Sequence, residues 1–164
     1  MLARFSPFAL AALLAARTAT AQSTDALVGT WTLEVVDNIN PDGSRVHLYG
    51  EHPQGILMFD SSGHYALQIM RASRPAFARN DRLKGTDAEV RALAEGVNTH
   101  WGQYSVDAAG TLRLRIEHAS FPNWEGQTRA QRFRIVDDHL TYTVAAPTTG
   151  GAGVTGEVVW RRIR

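Results

Sequence analysis

Leu27-Val28-Gly29-Thr30-Trp31-Thr32-Leu33-Glu34-Val35-Val36 is the stretch whose reading decides the fold. From Trp31 onward it alternates apolar and polar residues, the two-residue period of a strand with one buried face. Trp31, Leu33 and Val35 share one face, and Thr30, Thr32 and Glu34 share the other. A second apolar run, Val154 to Ile163, stands at the far end of the sequence and ends in Val158-Val159-Trp160-Arg161-Arg162-Ile163. We read the first stretch as the strand that opens a β-barrel and Glu157 to Ile163 as the strand that closes it.

The residues between them repeat the same pattern. Val46 to Tyr49, Ile56 to Asp60, His64 to Met70, Gly102 to Asp107, Thr128 to Val136 and His139 to Val144 are short runs rich in strand formers, separated by turn residues. Asn40-Pro41-Asp42-Gly43, Ser61-Ser62-Gly63, Ala108-Ala109-Gly110 and Asp137-Asp138 supply the turns. Leu112, Leu114 and Ile116 alternate with Arg113, Arg115 and Glu117, and His118 follows in phase with the apolar side. One segment differs. Thr86-Asp87-Ala88-Glu89 is a capping box, and Val90, Leu93, Ala94, Val97 and Trp101 recur at helical spacing, which predicts a helix over about residues 87–99. Arg71 to Gly85 has no periodicity and reads as a long basic loop. About nine strands and one helix make an all-β, antiparallel barrel of about 8–10 strands in one domain, with no internal repeat.

Residues 1–21 read as a secretory signal peptide, leaving 22–164 as the barrel domain. Arg4 is basic, Phe8 to Ala16 is a short apolar run, and Ala19-Thr20-Ala21 is a cleavage site. The run is too short to span a bilayer, so stable membrane insertion after cleavage is not expected, and the location is periplasmic or secreted. The mature part carries 15 basic against 16 acidic residues, and no basic stripe with interleaved aromatics, which argues against nucleic acid. The alternation of Arg129, Arg132 and Arg134 with Phe133 and Ile135 reads as a solvated strand face. Without cysteine there is no disulfide, thiolate metal site or Cys nucleophile. No pattern implies a cofactor, a metal, a phosphate cradle or a Ser-His-Asp set.

The chain resembles the bacterial and fungal lipocalin-like domain family, a calycin-type barrel. The resemblance rests on Leu27-Val28-Gly29-Thr30-Trp31, Gly50-Glu51-His52-Pro53-Gln54-Gly55, Gly63-His64-Tyr65 and Gln68-Ile69-Met70-Arg71. It continues through Arg74-Pro75, Phe77, Gly85-Thr86-Asp87, Gly102-Gln103-Tyr104, Phe121-Pro122-Asn123-Trp124 and Gly156-Glu157-Val158-Val159-Trp160. It implies that Gly29 and Trp31 close the barrel floor, with Arg161 or Arg162 laid over the indole. It departs at Leu114 and Arg115, where such proteins often carry a His-His pair.

A barrel of this size holds packed side chains or one small ligand. Tyr65, Gln68, Arg71, His118, Phe121 and Trp124 are the expected ligand-binding residues, with His100 and Tyr104 as further candidates. The leading expectation is an exported barrel that binds a small, largely apolar molecule. One alternative is an enzyme of cyclase or isomerase type in which His118, Tyr65 or Tyr104 does acid/base work. The other is an envelope interaction protein without chemistry. An open interior with converging polar groups separates the first two from the third.

Overall fold

A computed structural model describes residues 23–164, so the segment read as a signal peptide lies outside the described residues. Nine strands form one antiparallel sheet in the order β2-β1-β3-β4-β5-β6-β7-β8-β9. They run β1 Gly29–Ile39, β2 Arg45–Val46, β3 Gln54–Phe59, β4 His64–Met70, β5 Val97–Val106, β6 Thr111–Ala119, β7 Thr128–Val136, β8 His139–Ala145 and β9 Thr155–Arg162. β1 also pairs with β9, from Trp31↔Arg162 to Ile39↔Thr155, so eight strands close into a barrel and the two-residue β2 hangs on the far end of β1. Closure leaves the barrel with no free sheet edge, which is the physical reason for it.

Trp31 is fully buried at the narrow end. Its Nε1 donates to the Leu27 carbonyl at 2.9 Å, which fixes the short turn before β1. The Arg162 guanidinium centre lies 4.0 Å from the Trp31 ring centroid. The same side chain donates to the Val28 carbonyl at 2.7 Å and to the Ala26 carbonyl at 2.6 Å. Arg162 is therefore the cation over the floor. Arg161 points outward and pairs with Glu34 at 2.8 Å. Gly29 sits at φ +134°, and a Cβ there would come within 2.8 Å of the Arg162 Nη1, so the position suits glycine alone. Above Trp31, Trp160 is also fully buried and donates to the Tyr142 hydroxyl at 3.2 Å.

Two β-bulges change which residues face inward. The β1–β9 register shifts between Leu33 and Val35, with Glu34 the extra residue. Trp31 and Leu33 face the core as the alternation predicts, but beyond the bulge Val36 takes the inward place expected for Val35. The β5–β6 register shifts between Trp101 and Gly102, so that Trp101 opposes His118 and Gly102 opposes Ile116. A Cβ on Gly102 would collide with the Arg115 carbonyl oxygen, so glycine permits this bulge. Leu112, Leu114 and Ile116 are buried, but His118 is turned outward and lies 4.8 Å from the exposed Trp101 ring.

The helix is shorter than its apolar spacing suggests. α1 runs Asp87–Glu95, with the Thr86–Glu89 capping box formed, and stops at Gly96. Val97 to Trp101, expected to extend its apolar stripe, begins β5 instead, where Val97-Asn98-Thr99 pairs with β4. Gly96 is a poor helix residue, β-branched residues follow it, and two neighbouring strands supply hydrogen-bond partners. No residue of the helix is buried. Residues 71–85 form a long loop, as expected. The predicted strand at Val46 to Tyr49 shrinks to Arg45–Val46, with Leu48 and Tyr49 turning into the barrel mouth.

Arg162→Ala removes a cation–π contact and two charge-assisted hydrogen bonds, and we expect it to lower stability by about 3 kcal/mol. Arg161→Ala removes only an exposed ion pair, expected to count for about 0.5 kcal/mol. Urea unfolding of both variants measures the contrast, and equal losses would show that the floor does not depend on Arg162.

Candidate functional site

At the end opposite Trp31 the interior opens. A cavity of about 90 Å³ lies between the ends of β1, β4 to β9 and the crossing loops. Val36, Leu67, Ile69, Leu114, Val144 and Val158 make its apolar walls. Leu48, Tyr49 and Pro147 to Thr149 border its mouth. Each wall residue points inward because it has the right parity on its strand, and Leu48, Tyr49 and Pro147 arrive on loops.

The polar residues of the lining are few and unusual. His100 on β5 is 8% exposed, and its Nδ1 shares a 2.9 Å hydrogen bond with the Tyr65 hydroxyl, the donor depending on the imidazole tautomer. Burial, with the nearby Arg129 charge adding to it, pushes the His100 imidazole down to about 4. Burial raises the Tyr65 hydroxyl well above the ordinary phenol range. The pair is therefore neutral at physiological pH. Tyr142, fully enclosed, is pushed up to about 12 by the same cause.

Arg129 enters the cavity from β7, with its guanidinium centre 4.5 Å from the Trp124 ring centroid. Trp124 sits on the short turn Pro122–Trp124 and also meets His100 edge-on, 6.0 Å between centroids. Its Nε1 is buried without a hydrogen-bond partner, and so is the Oε1 of Gln131, two residues beyond Arg129 on the same strand face. Near the mouth, Asp37 is buried but answered by His47 at 2.8 Å and Arg45 at 3.2 Å. Among the described residues, no group of three His, Asp or Glu is placed to hold a metal ion.

The structure distributes the expected site residues unevenly. Tyr65 is buried one hydrogen bond behind the cavity wall, and Trp124 lines the cavity itself. Gln68 lies on the outer face of β4, exposed, because its odd spacing from Tyr65 puts it there. Arg71 is exposed and donates to the Leu48 carbonyl at 3.0 Å, outside the lining. Phe121 is 43% exposed and packs on Trp124, 5.4 Å between centroids. His118 is outward, 3.4 Å from Glu125, because the β-bulge reverses its phase. Tyr104 faces inward at the closed end and donates to the Asp60 carbonyl at 2.6 Å. His118, Tyr65 and Tyr104 are thus not brought together as an acid/base set.

Arg129, Gln131 and Asn38 line the cavity without having been singled out by sequence patterns. The basic run suggests one solvated face for Arg129, Arg132 and Arg134, but the parity of Arg129 is opposite to that of the other two. Arg132 and Arg134 are exposed, while Arg129 shares the inward face with Gln131 and Phe133. That parity is legible in the sequence.

An eight-stranded closed barrel with one blind end and a small, partly polar cavity at the other is the architecture of a lipocalin-type barrel. A family model for the lipocalin-like domain matches residues 28–163, and the chain belongs to that family. A protein named as a 4'-hydroxy-3'-methoxypropiophenone carrier protein, from Aspergillus oryzae (strain ATCC 42149 / RIB 40), is 27% identical over 104 residues, covering 58% of this chain and 94% of that protein. Among solved structures, a redesigned β-barrel aligns with 13% identity and a TM-score of 0.43, over 87% of this chain and 96% of the other.

Burial of His100 sets a pH dependence. In the unfolded chain the imidazole takes its proton near 6.5, and in the barrel only near 4. Between those values the unfolded state binds more protons, so stability falls as pH drops from 6.5 toward 4. Denaturant unfolding across that window should show the wild type losing about 3 kcal/mol more than His100→Gln. A parallel loss in the two proteins would mean that His100 titrates normally.

Proposed function

We propose that the barrel is a carrier for a small, largely apolar molecule, held in the cavity above Trp160 and Tyr142. The observation that carries this reading is the cavity itself: apolar walls, one open end, and the buried Trp124 Nε1 and Gln131 Oε1 without partners. Buried polar atoms are nearly always paired, and an unpaired one costs about 1–3 kcal/mol. Two of them beside one cavity suit a guest that pairs with them. A solid core would have favoured a mere scaffold. The fungal relative's name as a carrier of a small aromatic ketone points the same way.

The cavity limits the guest. A dry cavity of roughly 150 Å³ is enough for benzene, and this one measures about 90 Å³. The guest is then either smaller than one ring or a single-ring molecule that reaches out between the loops at the mouth. Export belongs to the same proposal and rests on the composition of residues 1–21.

Val144 is only partly buried and borders the cavity opposite Gly156, so a larger side chain there extends into the opening. Val144→Trp should therefore fill the opening while the barrel still forms. Benzamide, titrated by tryptophan fluorescence, is expected to bind the wild type and to lose at least roughly tenfold in affinity to this variant, a change of about 1.4 kcal/mol. Native mass spectrometry of protein isolated from its own host identifies the guest. Undiminished benzamide binding by a folded Val144→Trp variant would place the ligand elsewhere.

A further inference from the structure

On the outside of the barrel Arg45 meets Asp37, Arg113 meets Asp107 and Arg161 meets Glu34, while Arg132 and Arg134 are exposed to water. Arg162, at the floor, is held by two carbonyls and an indole. Arg129 differs. It is half-buried at the cavity and stacked on Trp124, and it makes no ion pair among the described residues. A guanidinium always carries its charge, and taking it out of water without an anion is unfavourable. Stacking on one indole face offsets only part of that cost and leaves the in-plane N–H donors free of the ring.

The neighbouring groups favour the same partner. The Trp124 Nε1 is a buried donor with no acceptor. His100 and Tyr65 form a neutral pair, so they present no charge to compete with an anion. Asp37 is the carboxylate that lines the cavity; it accepts from Arg45, which also meets Glu157, and shares a hydrogen bond with His47. Gln131, 6% exposed, also lies in the lining; its unpartnered oxygen is an acceptor, suited to a hydroxyl or N–H elsewhere on a guest and not to its anionic oxygen, so anion recognition falls to Arg129 and the Trp124 N–H.

We infer that the natural ligand is a small organic acid: an apolar, single-ring-sized body with one anionic oxygen group that Arg129 and the Trp124 N–H hold at the barrel mouth. A carboxylate fits the fork of the guanidinium, and an acidic phenol presents the same charged oxygen. The inference rests on the cavity being the binding site and adds the charge class of the guest. It also places anion recognition on a strand residue whose side chain packs on Trp124.

Matched probes of equal size test it. The intact barrel domain is titrated with benzoate and benzamide, then with cinnamate and cinnamamide, by calorimetry at neutral pH. The acid of each pair should bind roughly tenfold or more tightly than its amide. Arg129→Met, which keeps the length of the side chain and its place on Trp124, should bring that ratio close to one. Arg129→Lys should restore part of it, and far-UV circular dichroism confirms that each variant folds. Equal affinities for acid and amide in the wild type overturn the anion assignment while leaving the cavity as a binding site. Absence of binding by all four probes overturns both. The wild-type ratio needs no substitution, so it tests the anion assignment even where a variant fails to fold.

Discussion

Arg162 lies across the face of Trp31, and the closed barrel is built up from that contact. One residue belongs to the last strand and the other to the first, so the interaction joins the two ends of the described chain. It also reaches back to the carbonyls of Ala26 and Val28, which ties the turn before β1 across the floor. A half-buried cation over an indole is worth about 1–2 kcal/mol, and it lies where β1 and β9 meet in register, Trp31 opposite Arg162. That register decides the rest of the barrel interior. With Trp31 opposite Arg162 and Val36 opposite Val158, the inward positions of both strands form one wall, and the floor is sealed by Trp160 and Tyr142 above it.

A sealed floor makes the other end the only wide one among the described residues, and the chain places its polar exceptions there. Barrel interiors of this size are filled most stably by apolar side chains. Here the lower part follows that rule with Trp31, Phe59, Leu112 and Leu140, while the upper part breaks it with Asn38, His100, Arg129 and Gln131. Local departures from the rules of stable packing gather at functional sites. The His100–Tyr65 pair shows the cost in a specific form: burial keeps both groups neutral, and the imidazole gives up stability as pH falls. A pocket built only for stability would carry leucine or phenylalanine at those places.

Much of this is legible along the chain. The alternation in β1 and β6 predicts the inward faces of Trp31, Leu33, Leu112, Leu114 and Ile116, because a strand's period is a local property, whereas the alternation in β4 leaves open whether Tyr65 or Gln68 faces inward, and the tertiary structure chooses Tyr65. The capping box at Thr86 is legible for the same reason. His118 is not, because one β-bulge opposite Gly102 reverses its phase, and a bulge depends on the partner strand. The end of the helix at Glu95 is hidden because Val97 to Trp101 has both helical spacing and strand propensity, and only the neighbouring strands choose between them. Arg129 lies between these cases. Its parity places it inward, but an arginine inside a barrel is unusual enough that a solvated face is the natural reading.

Apart from the pairing of a Gly-Thr-Trp strand with an arginine-bearing last strand, which the resemblance to the lipocalin-like family implies, the amino-acid sequence by itself determined the all-β class and about nine strands. These follow from short-range patterns: alternation, turn residues and caps. Tertiary structure alone decided which of two adjacent arginines covers Trp31, which histidine looks into the barrel, and where the cavity opens. Each of those depends on register between strands far apart in sequence, and a shift of one residue turns every following side chain to the opposite face.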